Sequence, residues 1–135
     1  MHLRANEPDV FNVLLVDSED RANTNESPWE YLRDRPEDGW IRPPTAGDSH
    51  CQMMVVCMEA WFLADPAGMK RHYGGNFNEA ALPPPDQAET RTKNAIRDAL
   101  KKATRNTPAE EYRKIRDGAK LLECVDPAKV RTHCK

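Results

Sequence analysis

Four acidic residues in two short blocks are the side chains of this sequence best suited to chemistry. Asp17, Glu19 and Asp20 follow directly on the apolar run Val10-Phe11-Asn12-Val13-Leu14-Leu15-Val16. Glu59 follows the run Met53-Met54-Val55-Val56-Cys57. Open α/β sheets bind their ligands outside the carboxyl ends of the strands, which is where an acid cluster after an apolar strand would lie. Carboxylates there suit a hard cation such as Mg²⁺, which takes oxygen ligands and accepts few of them from protein. A cation so held can neutralise charge on a phosphodiester in transfer. Asp17 and Glu19, two positions apart, point the same way wherever extended geometry persists. The competing reading of this block is an Asx-type turn that ends the strand in a solvated acid run.

Glu59 stands next to Trp61, Phe62 and Leu63. An acid so close to an apolar block must be paired, hydrogen-bonded or functional. The plainer alternative is an acid at a helix N-terminus, favoured by the dipole. In a parallel sheet, the helix that follows the second strand starts near the end of the first, so Glu59 is expected to face Asp17. Among the basic residues, Lys114, Arg116 and Lys120 could meet phosphate, against the ordinary alternative of a solvated helix face. The residues that could carry catalysis are therefore Asp17, Glu19 and Glu59. Those that could hold a cation are Asp17, Glu19 and Asp20, and the candidates for nucleic-acid contact are Lys114 and Lys120. His50 opens the second run at the end opposite Glu59 and does not group with the acids. The sequence has no Gly-rich phosphate loop, no serine-nucleophile elbow and no Cys/His dyad at a recognisable spacing.

The elements that must position these residues can be read from local pattern. Residues 10–16 are apolar and β-branched and are expected to form a buried strand. Ser27-Pro28-Trp29-Glu30 combines a capping serine, a proline suited to the first turn and a capping-box glutamate, so a short helix to about Arg35 is expected. Residues 36–49 hold three prolines and two glycines and read as a loop. A second buried strand is expected over 50–57, running into a helix over 58–64. Asp65-Pro66 then restarts a helix that Gly74-Gly75 ends. A further helix is expected over 88–103, with Ala95, Ile96, Ala99, Leu100 and Ala103 on its inner face. That face leaves Arg91, Lys93, Arg97, Lys101 and Lys102 largely outside. Thr107-Pro108-Ala109-Glu110 reads as a capping box for another helix, with a break near Gly118, ending at about Cys124. Asp126-Pro127 begins a last short helix.

Composition bounds the class. The 135 residues suffice for one ordinary domain, with residues 1–9 as a polar lead-in to a single domain over 10–135. Hydrophobic residues make up 39% and charged residues 31%, and the clear clustering of Trp, Phe, Leu, Ile and Val excludes a collagen-like or wholly disordered chain. No apolar run approaches the roughly 18 residues of a membrane span, and no basic-then-apolar leader opens the chain. The net charge of −2 gives no global pull toward nucleic acid. It is nevertheless uneven: residues 1–50 carry 5 basic and 11 acidic side chains, residues 88–120 carry 10 and 5. That asymmetry points weakly to a phosphate-rich ligand, against solvated helix faces of opposite sign. Cys51, Cys57, Cys124 and Cys134 form no C-x-x-C pair and match no zinc spacing, which suggests a reducing, cytoplasmic setting. Two strands among several helices suggest an α/β fold with a small parallel sheet flanked by helices. Two strands alone make a poor sheet, so a partner or a further segment is expected to complete it.

Several of these blocks together carry a more specific signal. Leu14-Leu15-Val16-Asp17-Ser18-Glu19, Pro28-Trp29, His50 and Met53-Met54-Val55-Val56-Cys57-Met58-Glu59-Ala60-Trp61-Phe62-Leu63-Ala64-Asp65 resemble the bacterial DUF4276 family. Tyr112-x-Lys114 and Leu121-Leu122-x-x-Val125-Asp126-Pro127-x-x-Val130 extend the resemblance over nearly the whole chain. The family looks like a variant of the topoisomerase-primase (Toprim) fold. The resemblance implies a parallel sheet with helices on both faces. It also implies a Mg²⁺ site built from a glutamate after the first strand and an acidic pair after a later one. By position, Asp17 and Glu19 match that pair, and Glu59 matches the acid of the Glu-x-Trp block. Relatives in the broader group include nucleases of phage defence, often encoded beside an ATPase. Family members usually begin with a strand ending in a Glu-Gly turn upstream of the Val-Asp-Ser-Glu block, and here only nine residues precede Val10. The resemblance therefore implies a chain shortened at its N-terminus, without the glutamate that would act as general acid and base.

The expected function is a Mg²⁺-dependent nucleic-acid-processing domain, a nuclease in phage or mobile-element defence. The alternative is a non-catalytic module that docks on an ATPase, on another copy of itself or on a nucleoprotein complex. A weaker third class is a phosphotransferase or phosphatase acting on a small molecule.

Overall fold

A computed structural model describes residues 11–20 and 26–134. The chain divides into two compact units. The described part of the first comprises residues 11–16 and 26–53, and that of the second residues 17–20 and 54–134. Residues 1–10 lie outside the described residues, so the polar lead-in and the implied N-terminal shortening do as well.

The first unit is a strand–helix–strand crossover. Strand β1 spans Leu14–Asp17, helix α1 spans Pro28–Asp34, and strand β2 spans Cys51–Met54. The strands are hydrogen-bonded neighbours in a two-stranded parallel sheet, so the α/β class holds. Trp29 and Leu32 of α1 pack with Cys51 of β2, and Leu14, Val16 and Met53 close over them. The indole Nε1–H of Trp29 donates to the Gly47 carbonyl at 3.0 Å, which satisfies its one polar atom. Helix α1 starts at Pro28 as expected, but Ser27 makes no capping bond, and its hydroxyl donates to Asp48 instead. Both strands are shorter than their apolar runs. β1 is also not buried on both faces. Leu14 and Val16 turn inward, while Phe11, Val13 and Leu15 are 62%, 48% and 44% exposed. One helix covers one face of the two-stranded sheet, and the alternation of side chains turns Phe11, Val13 and Leu15 to the other.

The second unit is helical around an apolar centre. Its helices are α2 (Glu59–Ala64), α3 (Pro66–Tyr73), α4 (Lys93–Thr104), α5 (Lys114–Cys124) and α6 (Pro127–His133). Phe62 and Leu63 of α2 pack against Met69 and Tyr73 of α3, Ile96 and Leu100 of α4, and Leu121 of α5. Helix α2 has five of its six residues buried, which accounts for its nearly unbroken apolar sequence. Asp65 and Asp126 cap α3 and α6 by accepting from the N–H groups of Gly68 and Ala128.

Two boundaries differ from expectation. The expected helix over 88–103 is a 3₁₀ turn over Pro85–Thr90 followed by α4, which Thr92 caps by accepting from the Ala95 N–H. The expected capping box at Thr107 does not form. The Thr107 hydroxyl donates to the Thr104 carbonyl at 2.8 Å, Glu110 adopts φ +66°, and α5 begins only at Lys114. Gly118 then lies inside an unbroken helix. A Cβ there would stand 3.0 Å from the terminal Met58 Cε, a contact that a small shift of that flexible side chain relieves. Among the described residues no helix is long and apolar enough to cross a membrane.

Candidate functional site

The site is built on the joint between residues 17–20 and residues 54–59. Here the backbone is held by Ser18 N–H donating to the Met54 carbonyl at 2.9 Å and Glu19 N–H donating to the Val56 carbonyl at 2.8 Å. Both Glu19 and Val56 lie in the left-handed region, at φ +65° and +64°. For a β-branched residue such as Val56 this conformation is strained, and it persists only where surrounding bonds over-determine it. The buried Ser18 hydroxyl does so, accepting from the Val56 N–H at 2.7 Å. The turn at Val56 is also why β2 stops at Met54 instead of reaching Cys57.

Asp17 is placed by this joint. Its Oδ1 accepts from the Met58 N–H at 2.7 Å, just before α2. Its Oδ2 lies 3.3 Å from Lys114 Nζ and 3.6 Å from Lys93 Nζ. The same Lys93 ammonium pairs with Glu19 Oε2. Glu59, the first residue of α2, is wholly buried. Its Oε1 accepts from the Tyr112 hydroxyl at 3.3 Å and lies 3.5 Å from Arg97 Nε. Its Oε2 has no hydrogen-bond partner and stands 3.9 Å from Lys114 Nζ. Asp17 and Glu59 therefore converge on one ammonium group.

The electrostatics are those of three carboxylates laced by three cations, Lys93, Arg97 and Lys114. Burial, reinforced by the Glu59 charge beside it, pushes the Tyr112 phenol well above its ordinary range, so it remains a proton donor to Glu59. Burial and the Glu59 charge also push the Cys57 thiol up to about 11, which keeps it an inert packing residue.

The remaining expected residues are placed less centrally. Asp20 is exposed, its carbonyl accepts from the Ser18 hydroxyl at 2.5 Å, and it borders a cleft of about 370 Å³. Glu19, Arg91, Thr92, Lys93 and Asn94 line the same cleft. Lys120 is exposed on α5. Six residues past Lys114, it is turned about 240° round the helix from it. Arg116 pairs with Asp117 and Glu110 and does not join the acids of the site. Among the described residues, no group of three or more His, Cys, Asp or Glu side chains is arranged to hold a metal ion.

Three contributors were not expected from the sequence. Helical periodicity leaves Lys93 and Arg97 largely outside, yet both reach the acids. Their i, i+4 spacing puts them on one face of α4, and that spacing was the available signal. Tyr112 sits before α5, where pattern alone gives no direction.

No curated protein and no solved structure matches the chain. The family model described as Domain of unknown function (DUF4276) matches residues 1–135, and the chain belongs to that family.

Proposed function

We propose that this chain is a Toprim-like, Mg²⁺-dependent nucleic-acid-processing domain, a nuclease serving phage or mobile-element defence. The observation that carries this reading is the convergence of Asp17 Oδ2 and Glu59 Oε2 on the Lys114 ammonium, with Oε2 buried and lacking a donor. A buried anionic oxygen without a hydrogen bond is costly unless a charge compensates it, and buried charges in proteins are either paired or coordinate a metal. The donor set fits the ion. Mg²⁺ uses one or two carboxylates and fills its remaining positions with water and phosphate oxygens, so a cage of three protein acids is not required.

Asp17 and Glu19 would hold the ion, with Asp20 and Glu59 supporting it directly or through water. Bound there, Mg²⁺ would supply charge neutralisation to a phosphodiester in transfer. The chain's own residues do the rest. The Met58 N–H orients Asp17, and Tyr112 fixes Glu59 through Oε1 so that Oε2 faces the site. Lys114 and Lys93 bring positive charge to where phosphate oxygens would lie. The test is Asp17→Ala. Mg²⁺-stimulated cleavage of single- or double-stranded DNA or RNA is expected to disappear while the circular dichroism spectrum is unchanged. Undiminished cleavage would remove the reading.

A second reading is favoured by a different observation. The outward row of Phe11, Val13 and Leu15 suits a module that docks on an ATPase, on a second copy or on a nucleoprotein complex. A stable complex on sizing, with no Mg²⁺-stimulated activity, would favour it over the enzyme.

A further inference from the structure

Lys93 occupies an unusual position for a cation. It is the first residue of α4, where the helix dipole disfavours positive charge. Its side chain is nonetheless drawn in to 20% exposure, between Glu19 Oε2 and Asp17 Oδ2. Two carboxylates facing one cationic point is also the arrangement a divalent ion needs. The ammonium and the ion therefore compete for the same oxygens, and both cannot be accommodated at full strength. Lys93 also borders the cleft of about 370 Å³, whose lining includes the acids Glu19 and Asp20 together with Arg91, Thr92 and Asn94.

We infer that Lys93 is a tethered counter-ion, which a divalent cation displaces from Asp17 and Glu19 and which then turns to an anionic phosphate group in the adjoining cleft. The inference rests on the metal-binding reading above and concerns how the site is loaded. A further feature beside the same cluster points to a ligand: Glu59 Oε2, fully buried and without a hydrogen-bond partner, stands 3.9 Å from the Lys114 ammonium that also pairs with Asp17. Asp17, Glu19 and Glu59 are matched by Lys93, Arg97 and Lys114, so these groups by themselves have little net charge to attract phosphate. Adding a divalent ion leaves Lys93 without its carboxylates and the site positive. Cation and phosphate should therefore bind with positive coupling, each raising the affinity of the other. Lys93 is a positioning residue in this scheme, since it governs loading through the acids.

The experiment is Mn²⁺ titration by calorimetry on the full chain, with and without inorganic phosphate, for the wild type, Lys93→Met and Asp17→Asn. Removing the competing ammonium is expected to tighten Mn²⁺ binding about tenfold, within the usual range for coupling between neighbouring bound groups. The tightening by phosphate seen in the wild type is expected to vanish in the variant. A lysine that only balanced the acids would also tighten Mn²⁺ binding on removal, so the loss of the phosphate effect is the readout that singles out its second role. Should Lys93→Met fail to fold, Lys93→Gln serves in its place, because it removes the charge and keeps a polar chain. Mn²⁺ binding that is lost in Asp17→Asn but equal or weaker in the Lys93 variant would overturn this inference and leave the metal site standing. Mn²⁺ binding absent from the wild type and the Lys93 variant would overturn both.

Discussion

Glu59, Asp65 and Asp117 are three acids of the second unit almost equally hidden from water, at 0%, 3% and 5% exposure. Their surroundings differ in kind. Asp65 accepts from the Gly68 N–H through Oδ1 and from the Asp126 N–H through Oδ2, both at 3.1 Å. Asp117 accepts from Arg116 Nε at 2.7 Å through Oδ1 and from the Arg113 N–H at 2.8 Å through Oδ2. Each of these aspartates satisfies both oxygens, largely with backbone donors at helix starts, and each locks a turn. Glu59 satisfies one oxygen, and its charged neighbours are long side chains from α4 and α5 that water also reaches. Burial therefore does not separate these acids. What sets Glu59 apart is an oxygen without a hydrogen-bond partner.

The contrast can be broken by substitution. Asp65→Ala has the largest expected effect on folding. It removes the cap of α3 and strands two N–H groups, so stability in urea should fall by about 3 kcal/mol. Glu59→Gln should do the reverse of what burial alone suggests. The amide keeps an oxygen for Tyr112 and the buried charge is relieved, while the ion pairs given up are to Arg97 and Lys114, cations that water also reaches and that gain little from pairing. Stability should change by no more than about 1 kcal/mol while Mg²⁺-dependent cleavage is lost. A loss as large as that of Asp65→Ala would place Glu59 among the structural acids.

The smallest effect sharpens the comparison through pH. Burial alone would push the Asp117 carboxyl up, but the hydrogen bonds from Arg116 and the Arg113 N–H outweigh it and hold the group below the usual carboxylate range. A depressed folded-state value means the unfolded chain binds the proton first as pH falls. The stabilisation is thus present above about pH 4 and is lost as pH drops through the folded-state value. In acid titrations monitored by circular dichroism, Asp117→Asn should show a shallower decline below about pH 4 than the wild type. Equal slopes would mean that the Arg116 pair does not stabilise the folded acid.

Much of this was legible in the sequence because it is local. Asp65-Pro66 and Asp126-Pro127 begin helices in the structure, as their residue types require. The acid after the first apolar run and the acid after the second do converge. The start of α5 was not legible, since Thr107 and Glu110 satisfy a capping pattern that the Thr104 carbonyl and hydroxyl pre-empt. The Thr104 Oγ1 accepts from the Tyr112 N–H at 2.8 Å and so delays the helix. Periodicity also misjudged Lys93 and Arg97. A helical wheel sorts residues by polarity, and it cannot tell a cation in water from one that bridges to an acid on another element.

The sequence by itself determined the strand–helix–strand beginning, the helix starts and the presence of acids at two strand ends, because each depends on residues within a turn or two of one another. Only the tertiary structure decided which cations meet those acids. Lys93 reaches Glu19 across 74 positions and Lys114 reaches Asp17 across 97. Coulomb attraction between such distant groups has no local signature in the chain. It exists only after the apolar packing of α2, α4 and α5 has brought their ends to the same rim.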